Sequence, residues 1–175
     1  MTIAIRHATE DDFPELRLLV KFLDDELKVQ GARSCADAVI GGISYALRSD
    51  QAIVVADATP GGVVGFVAWA WVPGVPDGSV LGFGTYVRPA WRQAGVSEAM
   101  RDEAARYYAG RGRQRVEGSV ARGNRSGLRS ALAAGFRVTG YIVEKELDHE
   151  EVERREEVGR EERRQGLRPE ELLSH

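Results

Sequence analysis

The chain has 175 residues, 43% hydrophobic and 29% charged, the mix of one globular domain that buries a core without staples. Its net charge of −3 argues against a nucleic-acid partner, since such binders carry a strong basic excess. A single cysteine, Cys35, and three scattered histidines, His7, His149 and His175, exclude a disulfide framework and offer no metal-ligand spacing.

Ile3 and Ile5 alternate with polar neighbours and predict a first strand. Thr9 followed by Glu10, Asp11 and Asp12 reads as a helix N-cap with acids in the first turn. Leu16, Leu19, Val20 and Leu23 then repeat at helical spacing, predicting a helix over 10–27. A weaker helix is expected over 36–47, interrupted at Gly41-Gly42. Residues 52–56, 63–72 and 80–87 read as a meander of three strands, broken at Thr59-Pro60-Gly61-Gly62 and at 73–78. A third helix spans about 95–108, with Val96, Met100, Ala104 and Tyr107 on one face. A strand over 116–120, a short helix over 126–134 closed by Gly135, and a strand or strand pair over 136–147 complete the order. The fold class is α/β (α+β). The N-terminus turns acidic at once and does not read as a signal peptide. The apolar run 63–75 is broken by glycine and proline and falls short of the ~20 residues of a membrane span. A reducing cytoplasm is the expected compartment.

Charge is unevenly spread. Residues 148–175 hold ten acids and six arginines, a net of −4, leaving +1 for residues 1–147. Residues 88–129 hold ten arginines against four acids. A basic zone on a near-neutral body points to a small anionic ligand. It brackets the stretch Thr85 to Ser97, where a strand ends, a loop turns and a helix begins at Gly95. A helix start presents unpaired N–H groups and a positive dipole end, a ready anion site, and Gly95 leaves room for close approach.

Arg92-x-x-Gly95-x-Ser97, after Val87-x-Pro89, resembles the acyl-coenzyme-A loop of the GNAT N-acetyltransferase superfamily, whose pattern is Arg/Gln-x-x-Gly-x-Gly/Ala. Asn124, Gly127, Ala131 and Gly135-Phe136 resemble a second block of that family, and Ile5-Arg6 to Asp12 resembles its opening. The resemblance covers residues 3–147. It implies a mixed, mostly antiparallel sheet flanked by helices, with residues 1–147 as the acetyltransferase domain; residues 148–175 lie outside the pattern, and their Glu/Arg-rich composition reads as a charged tail, a solvated helix or a floppy segment. It implies acetyl-CoA as cosubstrate and an amine acceptor, small molecule or protein, with neither nucleic acid nor membrane as partner. Backbone groups of Tyr86 and Val87 would bond the pantetheine arm. Amides of Arg92, Gln93, Ala94, Gly95, Val96 and Ser97 would hold the pyrophosphate, and Asn124 would touch the arm from the other side.

The catalytic groups stay unassigned. The family often places a proton-donating tyrosine where this chain has Ala131, so Tyr141 is a substitute candidate. No acid lies five residues before Asn124, where Ser119 stands; Glu117 is the nearest carboxylate. Asp24, Asp25 and Glu26 are candidates to attract a cationic acceptor, against an ordinary solvated helix end. Trp69 and Trp71 are expected to pack. Two functions remain open at this point. One is an acetyl-CoA-dependent N-acetyltransferase working by direct attack of a primary amine. The other is a weakened GNAT-like coenzyme-A sensor or interaction module that uses its tail to form a homodimer.

Overall fold

The computed structural model describes residues 2–49, 51–71, 73 and 79–140. The chain divides into a unit Met1–Arg137 and a unit Val138–His175. Along the first run β1 (Thr2–His7), a 3-10 turn (Glu10–Asp12), α1 (Phe13–Val29), α2 (Ala36–Arg48), β2 (Ile53–Thr59), β3 (Gly62–Trp71), β4 (Val80–Val87), a second 3-10 turn (Pro89–Trp91), α3 (Val96–Ala109), β5 (Val116–Gly118) and α4 (Arg125–Ala133). The strands form one sheet in the order β1-β2-β3-β4-β5. The first four are antiparallel neighbours, and β5 runs parallel to β4.

Each face of the sheet carries its own core, as alternation along a strand buried on both sides requires. On one face Leu16, Leu19 and Val20 of α1 and Val39, Ile43 and Ala46 of α2 pack on Ile53, Val55, Phe66, Ala68 and Tyr86. On the other, Val96, Met100, Ala104 and Tyr108 of α3 pack on Val54, Val64, Val67, Trp69, Val80 and Val87. Trp69 is buried and Trp71 packs beside it, with the Arg113 guanidinium 4.1 Å from the Trp71 ring centroid. The Tyr108 hydroxyl donates to the Trp69 carbonyl at 2.7 Å, and burial pushes its pKa up.

Two buried carboxylates of the α1 region are structural. Asp12 accepts both terminal nitrogens of Arg6 at 2.8 Å, and Arg6 also reaches Asp57, tying β1, β2 and the start of α1 together. The hydrogen-bonded Arg6 guanidinium holds the Asp12 pKa below the usual carboxylate range. Asp24 accepts from Lys28, the Ser34 hydroxyl and the Cys35 N–H, fastening the start of α2 to α1. Lys28 chiefly draws its pKa down to about 2.

Helix α2 runs through Gly41-Gly42 without the expected interruption. Gly42 has a packing reason: a Cβ there would stand 2.8 Å from the Phe83 ring. At the far end, residues 136–140 carry no strand, against expectation. The Schellman closure of α4 turns the chain there, with Gly135 at φ +84° and the Phe136 N–H returned to the Ala131 carbonyl at 3.1 Å. Phe136 then packs edge-on to Trp69. The rest of that expected strand (141–147), Tyr141 and the expected helical tail lie outside the described residues.

Candidate active site

The site begins with a mismatch in register. Ala68 faces Gly84, but Trp69 faces Gly82, so Phe83 is an extra residue in β4. Such a bulge bends its strand. Pairing of β4 with β5 stops at the same place, at Gly82 opposite Gly118. Beyond it, β4 continues to Val87 with an edge left open among the described residues.

Hydrogen-bond alternation decides which backbone groups face that edge. The Arg88 N–H donates to the Val64 carbonyl at 2.8 Å. In an antiparallel ladder this makes Phe66 and Tyr86 a hydrogen-bonded pair and turns the groups of Thr85 and Val87 away from β3. Tyr86, expected to offer its backbone to a cofactor arm, has that backbone turned to Phe66, while the backbone groups of Val87, and of Thr85, which sequence reasoning did not single out, point away from β3.

The chain then turns through Pro89–Trp91 into a loop with left-handed residues at Gln93 (φ +64°) and Gly95 (φ +74°). Successive amides in such turns form anion-binding nests. The Arg92 amide is not free for this, since it donates to the Pro89 carbonyl at 3.2 Å. The first bond of α3 is Ala99 N–H to the Gly95 carbonyl, so the amides of Val96, Ser97 and Glu98 have no intrahelical acceptor. A Cβ on Gly95 would meet no atom within 4 Å. The loop therefore offers amides, a helix N-terminus and unfilled space together.

The Arg92 side chain turns away from this space. Its Nη2 grips Glu26 of α1 at 2.7 and 2.9 Å, its Nε donates to the Val87 carbonyl at 2.8 Å, and its guanidinium lies 5.3 Å from the Tyr86 ring centroid. The Tyr86 hydroxyl donates to the same Glu26 at 3.2 Å. Desolvation, followed by Glu26, raises the Tyr86 pKa, so the phenol stays protonated. Of the acidic trio, Asp24 is thus a structural clamp, Asp25 is exposed and Glu26 is neutralised by Arg92. A helix turns 100° per residue, so neighbours in sequence need not share a direction.

Asn124 caps α4, its Oδ1 accepting the Gly127 N–H at 2.7 Å and the Ser126 hydroxyl at 3.1 Å. The preceding Gly123 lies against the Gln30 carbonyl at the end of α1, leaving no room for a Cβ. Ala131 is half-buried in α4. Glu117, half-exposed, accepts from the Ser79 hydroxyl at 3.1 Å and stands 3.6 Å from Arg115. Ser119 is exposed. Cys35 is half-buried, and desolvation raises its pKa, the opposite of an activated thiolate.

No family profile and no curated protein matches this sequence. Solved structures do. An aminoglycoside N-acetyltransferase, AAC(6')-Iy, bound to a coenzyme-A bisubstrate analogue is 21% identical at a TM-score of 0.62, over 85% of this chain and 99% of its own. A predicted acetyltransferase from Clostridium acetobutylicum with acetyl-CoA is 16% identical at 0.64, over 85% and 99%. The chain shares its fold with these acetyltransferase structures. A tetramutant of the BH1408 protein from Bacillus halodurans is also similar, at 17% identity and a TM-score of 0.66, over 82% of this chain and 99% of its own. Among the described residues, no helix is long and apolar enough to cross a membrane and no cluster could hold a metal.

Proposed function

We propose that this chain is an acyl-CoA-dependent N-acetyltransferase that passes an acetyl group from acetyl-CoA to a primary amine. The observation that carries the reading is the continuity of two features. An open strand edge at Thr85 and Val87 leads into an amide-lined loop with empty space over Gly95. An acyl-CoA needs both: strand-like partners for its amide-bearing arm and an anion cradle for its pyrophosphate. The residues present fit such a molecule. The edge groups of Thr85 and the Val87 N–H would bond the arm, the Val87 carbonyl being held by Arg92. Amides of Gln93, Ala94, Gly95, Val96 and Ser97 would hold the pyrophosphate, and Arg92 would brace the loop from behind. Asn124 would face the arm while capping α4. Residues 1–147 form the acetyltransferase domain in this reading, with 148–175 as a charged appendage.

In the reaction the amine nitrogen forms a bond to the thioester carbonyl carbon, the carbon–sulfur bond breaks, and the proton lost by the amine replaces acyl on sulfur. A backbone N–H fixed beside the carbonyl stabilises the charge that develops on its oxygen. No tyrosine stands at Ala131, so a side-chain proton donor there is absent. The thiolate, with a pKa near ~8.5 for its acid, leaves tolerably at neutral pH and takes up the amine's proton through water. Ser119 stands five residues before Asn124 where a carboxylate could serve as base, and the lack of that base favours an amine that is neutral without one. A lysine amine at pKa ~10.4 must lose about 4.6 kcal/mol at pH 7 to be neutral, an α-amine near ~7.8 about 1 kcal/mol.

A thiol-release assay with acetyl-CoA and a panel of α-amines and lysine side chains tests the reading. Stoichiometric thiol and acetylated amine are expected. Tight coenzyme-A binding without turnover on any amine would instead make the chain a binding module.

A further inference from the structure

Resting on the transferase reading, we infer that the acceptor carries an anionic group, and that Arg88 receives it. Arg88 follows the open edge and shares a face of β4 with Tyr86, two residues earlier. That is the α1–α2 face, opposite the one on which α3 packs.

Three observations meet there. First, Arg88 has no carboxylate partner among the described residues. Its one described side-chain contact is the Phe22 ring of α1, 5.6 Å from the guanidinium carbon. Second, its Nε is shut off from solvent with no acceptor in reach. A buried N–H without an acceptor costs free energy, and proteins rarely keep one without a use for it; among the described residues Arg101 Nε shares that state, on α3. Third, the nearby carboxylate is already committed. Glu26, one helical turn after Phe22, is held by both Arg92 and Tyr86. The patch therefore presents surplus positive charge, and a polycationic acceptor would meet repulsion where an anionic one meets an unpaired arginine.

The anion could also come from a coenzyme-A phosphate. The face argues against it, because the loop amides lead into α3 on the opposite side of the sheet. Along β4, Thr85 and Arg88 are three residues apart, about 10 Å in a strand. A peptide of two or three residues spans that distance. It carries a low-pKa α-amine at one end and a carboxylate at the other, matching the acceptor that the lack of a base before Asn124 favours.

The test compares di- and trialanine with their C-terminal amides as acceptors, in the wild type and in R88Q and R88K, and measures coenzyme-A affinity of each protein by calorimetry. The wild type is expected to favour the free carboxylates at least tenfold in kcat/KM. R88Q should bring that ratio near one, R88K should keep part of it, and coenzyme-A affinity should change less than twofold. An unchanged ratio with weakened coenzyme-A binding would assign the anion to the cosubstrate and overturn the inference, as would a wild type that does not discriminate, or that prefers an aminoglycoside such as sisomicin. If neither the peptides nor any amine of the panel above is turned over while coenzyme A binds, the transferase reading fails separately. Calorimetry of the same peptides on the coenzyme-A complex then decides: carboxylate-selective binding that R88Q abolishes upholds the anion site, and equal or absent binding of both forms overturns it.

Discussion

Gly95 and Gly112 form a natural controlled pair at the two ends of α3. Their φ angles are +74° and +73°, and a Cβ on either would meet no atom within 4 Å. Substitution by alanine therefore costs each the same thing, the strain of an L-residue in the left-handed region, about 1–2 kcal/mol. Urea denaturation should show equal losses for G95A and G112A. Coenzyme-A binding should separate them. At Gly95 the methyl group occupies the space in front of the loop amides, and losing one charge-assisted hydrogen bond costs about 1.5–3 kcal/mol. That converts to a Kd raised roughly 10- to 150-fold, read by calorimetry, while G112A binds like the wild type. G95E, which adds a like charge, should abolish binding. If G95A binds coenzyme A normally, or if G112A weakens it as much, the amide cradle is wrong.

R92A should weaken coenzyme A by less than about fivefold, because the Arg92 side chain holds a half-exposed ion pair with Glu26 and such pairs contribute at most about 1 kcal/mol; a loss comparable with G95E would show that Arg92 binds phosphate directly. Asp24 sets a pH dependence of stability. Its folded pKa is depressed to about 2, so its contribution is present above its unfolded pKa near ~3.9 and disappears as pH falls from ~4 through ~2. With its partner Lys28 exposed, about 1–2 kcal/mol is expected. Urea midpoints from pH 6 to 2 should fall more steeply in the wild type than in D24N, and parallel curves would refute the clamp. Acceptor choice should follow amine pKa, with α-amines faster than lysine side chains at pH 7 and the gap narrowing toward pH 9; equal rates throughout would reveal a general base.

The strands and helices were legible because their periodicities are local. The loop and helix start at Gly95 were legible too, since a glycine between a strand and an amphipathic helix is a local signal. What sequence could not carry was register. Whether Tyr86 or Thr85 faces the open edge depends on pairing with β3, twenty residues away, and on one extra residue at Phe83. A one-residue slip reverses every assignment along a strand. Arg92 misled in a related way, because its partner Glu26 lies 66 residues away on a helix whose orientation the sequence does not state. The adjacent acids looked like one cluster, yet helical rotation sends Asp24 into a buried clamp and Glu26 to the loop. Residues 136–140 carried a strand-like pattern that the closing turn of α4 overrode.

The central claim is that backbone amides of one loop and one strand edge hold an acyl-CoA. Backbone amide NMR of the full chain titrated with coenzyme A tests it residue by residue. The account predicts the largest shifts at Gln93 to Glu98 and at Thr85 and Val87, with the C-terminal end of α3 near Arg111 and Gly112 unmoved. Shifts concentrated at that far end, or none at the loop under saturating coenzyme A, would contradict it.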